Sequence, residues 1–197
     1  ALLAAGGATA RVAAVPGVGL ESWLKARLDL GRSLWRAGKP DLARQLLANH
    51  GLDPNALQRQ PVATRSLFLD SEWLAGWLAL RRLDQPAAAL VHFRNARSVA
   101  QAPISQARGD YWAGRAAEAA GQRDLARQYY AAAARHPDYF YGQLASERLG
   151  QPLALAAQPL PAPDAAAAGN FRAEGRVRAL FALADVDRAR QTIFLKQ

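Results

Sequence analysis

A stretch of eighteen residues occurs twice in this chain, and a chain that repeats itself folds as repeated units. Residues 30–47 read LGRSLWRAGKPDLARQLL and residues 113–130 read AGRAAEAAGQRDLARQYY, at a constant offset of 83. Nine of the eighteen aligned positions are identical: Gly31/Gly114, Arg32/Arg115, Ala37/Ala120, Gly38/Gly121, Asp41/Asp124, Leu42/Leu125, Ala43/Ala126, Arg44/Arg127 and Gln45/Gln128. A weaker copy lies between them, where Gly76 begins GWLALRR and Asp84-Gln85-Pro86 turns into AAALVHFRNA. A last echo is Asp187-Arg188-Ala189-Arg190-Gln191. Half of the offset is about 41 residues, within the range of roughly 34 to 47 that paired-helix repeats occupy. The predicted unit is a helical hairpin.

Each unit joins an Ala-, Leu- or Trp-rich helix to a Gly, a short polar turn and a second helix. Gly38 and Gly121 suit the left-handed helix C-cap that a side chain disfavours. Lys39-Pro40 and Gln122-Arg123 then lead to Asp41 and Asp124, carboxylates at helix starts, where free N–H groups favour negative charge. In the second helices Ala126, Tyr129, Tyr130 and Ala133 fall at i, i+3, i+4 and i+7, and Ala89, Phe93 and Ala96 at i, i+4 and i+7, which gives each one apolar face. The small Ala lets the paired helix approach while the aromatic fills the next gap, the packing of tetratricopeptide-like arrays. No segment alternates β-branched residues with period two. The expected fold is all-α, with tetratricopeptide-like helical hairpins stacked into a curved superhelical solenoid over residues 1–150. Pro152, Pro159, Pro161 and Pro163 exclude helix from most of 151–170, which reads as a Pro/Ala-rich connector. A further helical linker region is expected over 171–197.

The 197 residues are 51% hydrophobic, enough for one sizeable core. Charged residues interrupt every apolar run before it reaches the roughly 18 residues a membrane-crossing helix needs, so no transmembrane segment is predicted. The net charge is +9, but all but three of the basic residues are Arg, scattered among acidic residues along helices. Basic patches interleaved with stacking aromatics, the usual mark of nucleic-acid readers, are missing, and no nucleic-acid partner is expected. With no Cys there are no disulfides, thiolate nucleophiles or Cys-type zinc sites. There is also no Met, not even at position 1, so the chain is expected to be a mature or internal piece of a longer product.

Residues fit for chemistry are few. His50, His92 and His136 lie in separate repeat units without the His-x-x-x-His spacing of a helical metal pair, and are expected on the surface or between helices. No nucleophile elbow, Walker loop or dinucleotide fingerprint occurs, and no cofactor or metal is expected. Glu72 and Glu118 lie within apolar helices, and each is expected to form a buried ion pair with an Arg of a neighbouring helix.

Several strings occur in a fixed order: Glu72-Trp73-Leu74-Ala75-Gly76-Trp77-Leu78-Ala79-Leu80, then His92-Phe93, then Pro103-Ile104-Ser105-Gln106-Ala107-Arg108, then Tyr111-Trp112-Ala113-Gly114-Arg115-Ala116-Ala117-Glu118. Ala133-Ala134 and Tyr139-Phe140-Tyr141-Gly142-Gln143-Leu144-Ala145 follow. Across about 70 to 150 this order resembles the superhelical domain of soluble lytic transglycosylases. The resemblance implies a periplasmic, two-part enzyme in which a ring of helical hairpins carries a C-terminal lysozyme-like domain. That domain cleaves peptidoglycan between its amino sugars and leaves a 1,6-anhydro end. Its catalytic glutamate belongs to a Glu-Ser motif followed by Gly-Leu-Met-Gln. Glu21-Ser22 is the one Glu-Ser pair here, but it precedes the array, and without Met the second motif is missing. The expectation is a non-catalytic scaffold whose C-terminal catalytic domain is missing from this chain.

The expected partner is the peptidoglycan glycan strand. Its candidate contacts are Arg108, Tyr111, Trp112 and Arg115, because guanidinium donors beside aromatic faces suit carboxylates and sugars together. The competing expectation for Arg115, repeated as Arg32, is a pairing with a carboxylate of an adjacent helix. Two readings of other classes are a stand-alone tetratricopeptide-like adaptor that grips a peptide and a basic helical repeat that binds nucleic acid.

Overall fold

Three glycines mark where the paired helices cross. A Cβ added to Gly31 would lie 2.7 Å from the Leu47 side chain, one on Gly76 2.9 Å from Phe93, and one on Gly114 2.7 Å from Tyr130. In each case a glycine on the first helix admits a large side chain of the second. The computed structural model describes residues 19–152 and 164–184, and they contain ten helices and no strand. The first three hairpins are α1 (Leu20–Arg36) with α2 (Pro40–Ala48), α4 (Val62–Arg82) with α5 (Pro86–Val99), and α6 (Pro103–Ala119) with α7 (Arg123–Ala134). A single turn, α3 (Pro54–Leu57), separates the first hairpin from the second, and α8 (Phe140–Arg148) follows the third.

The turns repeat as the sequence predicts. Gly38 and Gly121 have φ of 73° and 75°. At each the chain closes the helix with the same two bonds, Gly38 N–H to Trp35 O and Lys39 N–H to Leu34 O, and Gly121 N–H to Glu118 O and Gln122 N–H to Ala117 O. Asp41 and Asp124 then lie in the first turns of α2 and α7. In the middle hairpin Asp84 takes the left-handed place, with φ 51°. Its closing bond, Gln85 N–H to Ala79 O, spans one residue more. That extra residue explains why the middle copy is weak when aligned by identity. Left-handed backbone costs a non-Gly residue roughly 1 kcal/mol. Asp84→Gly is therefore expected to stabilise the chain by about 0.5 to 1 kcal/mol in urea unfolding, and a loss of stability would show that the Asp side chain supports the turn.

The helices pack chiefly on near neighbours in the chain: α1 on α2 and α4, α2 on α4, α4 on α5, α5 on α3 and α6, α6 on α7 and α8, and α7 on α8. The expected apolar faces are the buried ones. Ala89, Phe93 and Ala96 are at most 2% exposed, and Ala126, Tyr130 and Ala133 at most 3%, with Tyr129 half-buried beside them. A second cluster joins Trp23 and Leu24 of α1 to Phe68 of α4 and Ala96 of α5, and a third joins Leu28, Ala43, Leu47, Ala75 and Leu78. Each such aromatic or Leu side chain contributes about 1.5 to 3 kcal/mol by leaving water.

The chain divides into two compact units, 1–155 and 156–197. In the second, α9 (Ala165–Ala173) packs on α10 (Gly175–Ala184), with Val177 buried and Phe171 and Phe181 exposed. Helix thus begins at Ala165, inside the stretch read as connector. The reason is local: Asp164 accepts the Ala167 N–H at 2.6 Å as a cap, and a run of Ala, the best helix former, follows it. The extended connector expected across Pro159, Pro161 and Pro163, the echo at Asp187–Gln191 and residues 1–18 lie outside the described residues. No helix of the described residues is long and apolar enough to cross a membrane.

Candidate functional site

Helical spacing gathers the polar and aromatic residues of the first helices onto shared faces. On α4 Asp70, Trp73 and Trp77 fall at i, i+3 and i+7; on α6 Arg108, Trp112 and Arg115 fall at i, i+4 and i+7. The two helices meet through these residues. Arg108 Nη2 donates to Asp70 Oδ1 at 3.0 Å, and its guanidinium carbon sits 5.2 Å from the Trp73 ring centre. Trp112 lies edge-on to Trp73 at 6.0 Å and stacks on Phe93 at 5.8 Å. Both indoles are half-buried, and their N–H groups find no acceptor among the described residues.

The four residues singled out from sequence do not form one surface. Arg108 and Trp112 belong to the arrangement just described. Tyr111 is only 5% exposed, with ring contacts to Trp112, Tyr130 and Tyr141 at 5.4 to 5.9 Å, so it is a core side chain and offers no open face for stacking. Arg115 points along α6: its Nη1 donates to the Tyr111 hydroxyl at 3.3 Å and its Nε lies 3.6 Å from Glu118 Oε2. The carboxylate it meets is on its own helix, not an adjacent one. Arg32 does reach an adjacent helix, its Nη2 lying 4.0 Å from Asp70 Oδ2 of α4.

Each expected buried Glu–Arg pair is met in part: Glu118 does pair with an Arg of a neighbouring helix, Arg148 of α8, but not in a buried position, and Glu72 is buried but without an Arg. Glu118 is half-exposed rather than buried, and it accepts from the Tyr130 hydroxyl at 2.9 Å and from Arg148 Nη1 at 3.4 Å. Burial, and then the hydrogen bond to Glu118, push the Tyr130 phenol far above its ordinary value. Glu72 is buried, at 1% exposure, but its partners are not Arg. His50 Nε2 lies 2.6 Å from Oε1, and His92 Nδ1 and Asn95 Nδ2 each lie 3.0 Å from Oε2. The Leu52 N–H donates to His50 Nδ1 at 2.9 Å, so His50 carries its proton on Nε2 and donates it to Glu72. Burial raises the Glu72 pKa, yet its hydrogen bonds to and electrostatic interactions with the two histidines together outweigh it and hold the carboxyl below its ordinary value. The cluster ties the turn after α2 to α4 and α5. Among the described residues no three or more such side chains are placed to hold a metal ion.

Residues that sequence reasoning passed over complete the picture. Trp35 and Trp77 meet edge-on at 5.5 Å, and the Arg82 guanidinium lies 4.6 Å and 5.6 Å from their ring centres. The signal was present as the i, i+3, i+7 spacing of Asp70, Trp73 and Trp77. Asp110 is a second buried carboxylate, paired with Arg97 Nε at 2.9 Å; burial raises its pKa and Arg97 offsets only part of the rise. Glu21 and Ser22 are exposed in the first turn of α1. Comparison of the chain with protein-family models, with curated proteins and with solved structures finds no match.

Proposed function

We propose that this chain is the non-catalytic helical scaffold of a periplasmic peptidoglycan lytic transglycosylase, whose hairpins continue as a curved superhelical array and hold glycan strands for a catalytic domain outside the chain. The parent enzyme in this reading cleaves the bond between the amino sugars to a 1,6-anhydro product. One observation carries it: on α4 and α6, the helices with the family-like strings, the Arg108 guanidinium lies over Trp73 beside Trp112. The half-buried indoles suit apolar contact with a sugar ring, and a guanidinium beside them suits the carboxylates that peptidoglycan also carries.

The test is co-sedimentation with purified peptidoglycan. The chain is expected to pellet at low salt and to be released at high salt, because the charge contacts are partly exposed and therefore screened. The variant Arg108→Ala, checked for folding by circular dichroism, is expected to bind about threefold more weakly, the worth of one partly exposed charge contact. Unchanged pelleting of the folded variant would move the glycan contact elsewhere. A parent chain that does not pellet at all sinks the scaffold reading and leaves the peptide-gripping adaptor in its place.

A further inference from the structure

Three side chains from three helices converge beside the Trp73–Trp112 pair. Asp70 of α4 lies between Arg108 of α6, at 3.0 Å from Oδ1, and Arg32 of α1, at 4.0 Å from Oδ2. Asp29 of α1 stands 3.8 Å from Arg32 but is bound by Lys25 at 2.7 Å. Lys25, Arg32 and Arg108 thus face two carboxylates, which leaves one positive charge uncompensated. The Asp70, Arg32 and Arg108 side chains are 41%, 43% and 28% exposed, so an outside ligand can reach all three. A guanidinium has five donors in a planar fork that grips a carboxylate with two bonds at once. Arg108 gives Asp70 one bond, and Arg32 stands beyond hydrogen-bonding distance of it. The guanidinium of Arg108 also rests over Trp73.

Resting on the scaffold reading above, we propose that Asp70 holds the place of a ligand carboxylate, and that the strand is recognised when one of its own carboxylates takes the space between Arg32 and Arg108. The exchange costs little, because an exposed ion pair of this kind is weak. The sugar or peptide body attached to that carboxylate then lies along the indoles of Trp73 and Trp112. Asp70 thereby sets a threshold: neutral polymers leave the internal pair in place, and acidic ones displace it. Peptidoglycan offers such a carboxylate on its peptide stems, or on the muramic lactyl groups once the stems are removed.

Asp70 is the decisive residue, because a merely structural pair and a place-holder predict opposite signs. Asp70→Asn keeps the shape and removes the competing charge. It is expected to pellet with peptidoglycan about two- to fivefold more tightly than the parent, the inverse of a weak exposed pair. Asp124→Asn on α7 changes the net charge equally at a distance and is expected to leave binding unchanged. Peptidoglycan whose carboxylates have been capped as neutral methylamides is expected to lose binding to the parent chain. Stem-stripped strands identify the source: retained binding assigns the lactyl carboxylate, and lost binding the stems. Asp70→Asn binding no better than the parent, or no better than Asp124→Asn, overturns the proposal, as does equal binding to capped and native polymer. In the last case the scaffold reading survives, since the strand is still held; failure to bind native polymer removes both.

Discussion

Replacing Glu72 by Gln is expected to cost the chain about 2 to 3 kcal/mol of stability in urea unfolding at neutral pH, because a buried donor loses its acceptor. The carboxylate accepts from His50 on one oxygen and from His92 and Asn95 on the other. An amide keeps one of those oxygens and turns an NH2 group on whatever faced the other. Pointed at His50, the NH2 meets an Nε2–H that cannot change tautomer while the Leu52 N–H occupies Nδ1. Pointed the other way, it meets two donors. Glu72→Ala removes every acceptor and leaves a cavity besides, and about 4 kcal/mol is expected. A loss below about 1 kcal/mol for Glu72→Gln would mean that water satisfies the histidines and that the cluster clamps nothing.

The same group sets an acid limit. The Glu72 pKa in the folded chain is lower than its ordinary value of 4.5, so the folded state holds this proton less tightly than the unfolded one. Its stabilising contribution is complete above 4.5 and disappears as the pH falls through the depressed folded value. The parent chain is therefore expected to lose stability below that pH more steeply than Glu72→Gln, which has no proton to take up there.

The repeat was legible because it is local. Gly38, Gly121 and the Asp that follows each speak for themselves within four residues, and the structure returns the same turn at both. The middle copy was harder for a physical reason. Asp84 stands where Gly would be expected, and one added residue lets Gln85 N–H reach back to Ala79 O, a longer span than from Lys39 N–H to Leu34 O, so identity fails where geometry holds. A fourth closure was equally local yet passed over. Gly150-Gln151-Pro152 echoes Gly38-Lys39-Pro40, and Gln151 N–H bonds to Ser146 O as Lys39 N–H does to Leu34 O. The sequence suggested that charged groups pair between helices, but not which partner each one finds. Glu72 meets residues 20 and 22 positions away from it, and Asp70 meets one 38 positions away, and such partners follow from how hairpins stack rather than from any spacing along one helix. Tyr111 shows the converse error, since its neighbours in sequence suggested a surface and its place on α6 turns it into the core.

Gly142→Ala is expected to be the most disruptive single-methyl change, at about 3 kcal/mol, the upper end of what overpacking usually costs. Gly142 lies in the first turn of α8, and a Cβ there would run into the backbone carbonyl of His136, with Ala133 O 3.0 Å away. Neither carbonyl is free to swing. Ala133 O accepts the His136 N–H and His136 O the Tyr139 N–H, bonds that build the turn seating α8 on the end of α7. At Gly114 the obstacle is instead the Tyr130 ring, a side chain that can tilt, and Gly114→Ala is expected to cost about 1 to 2 kcal/mol. The order of the two in urea unfolding is the test: Gly114→Ala more damaging than Gly142→Ala would show that α8 shifts freely on α7. If α8 is displaced, Arg148 leaves Glu118, the carboxylate that also stands 3.6 Å from Arg115. Gly142→Ala at a temperature where it remains folded is then expected to disturb the Arg115 end of α6 while leaving Arg108, held by Asp70 and Trp73, in place.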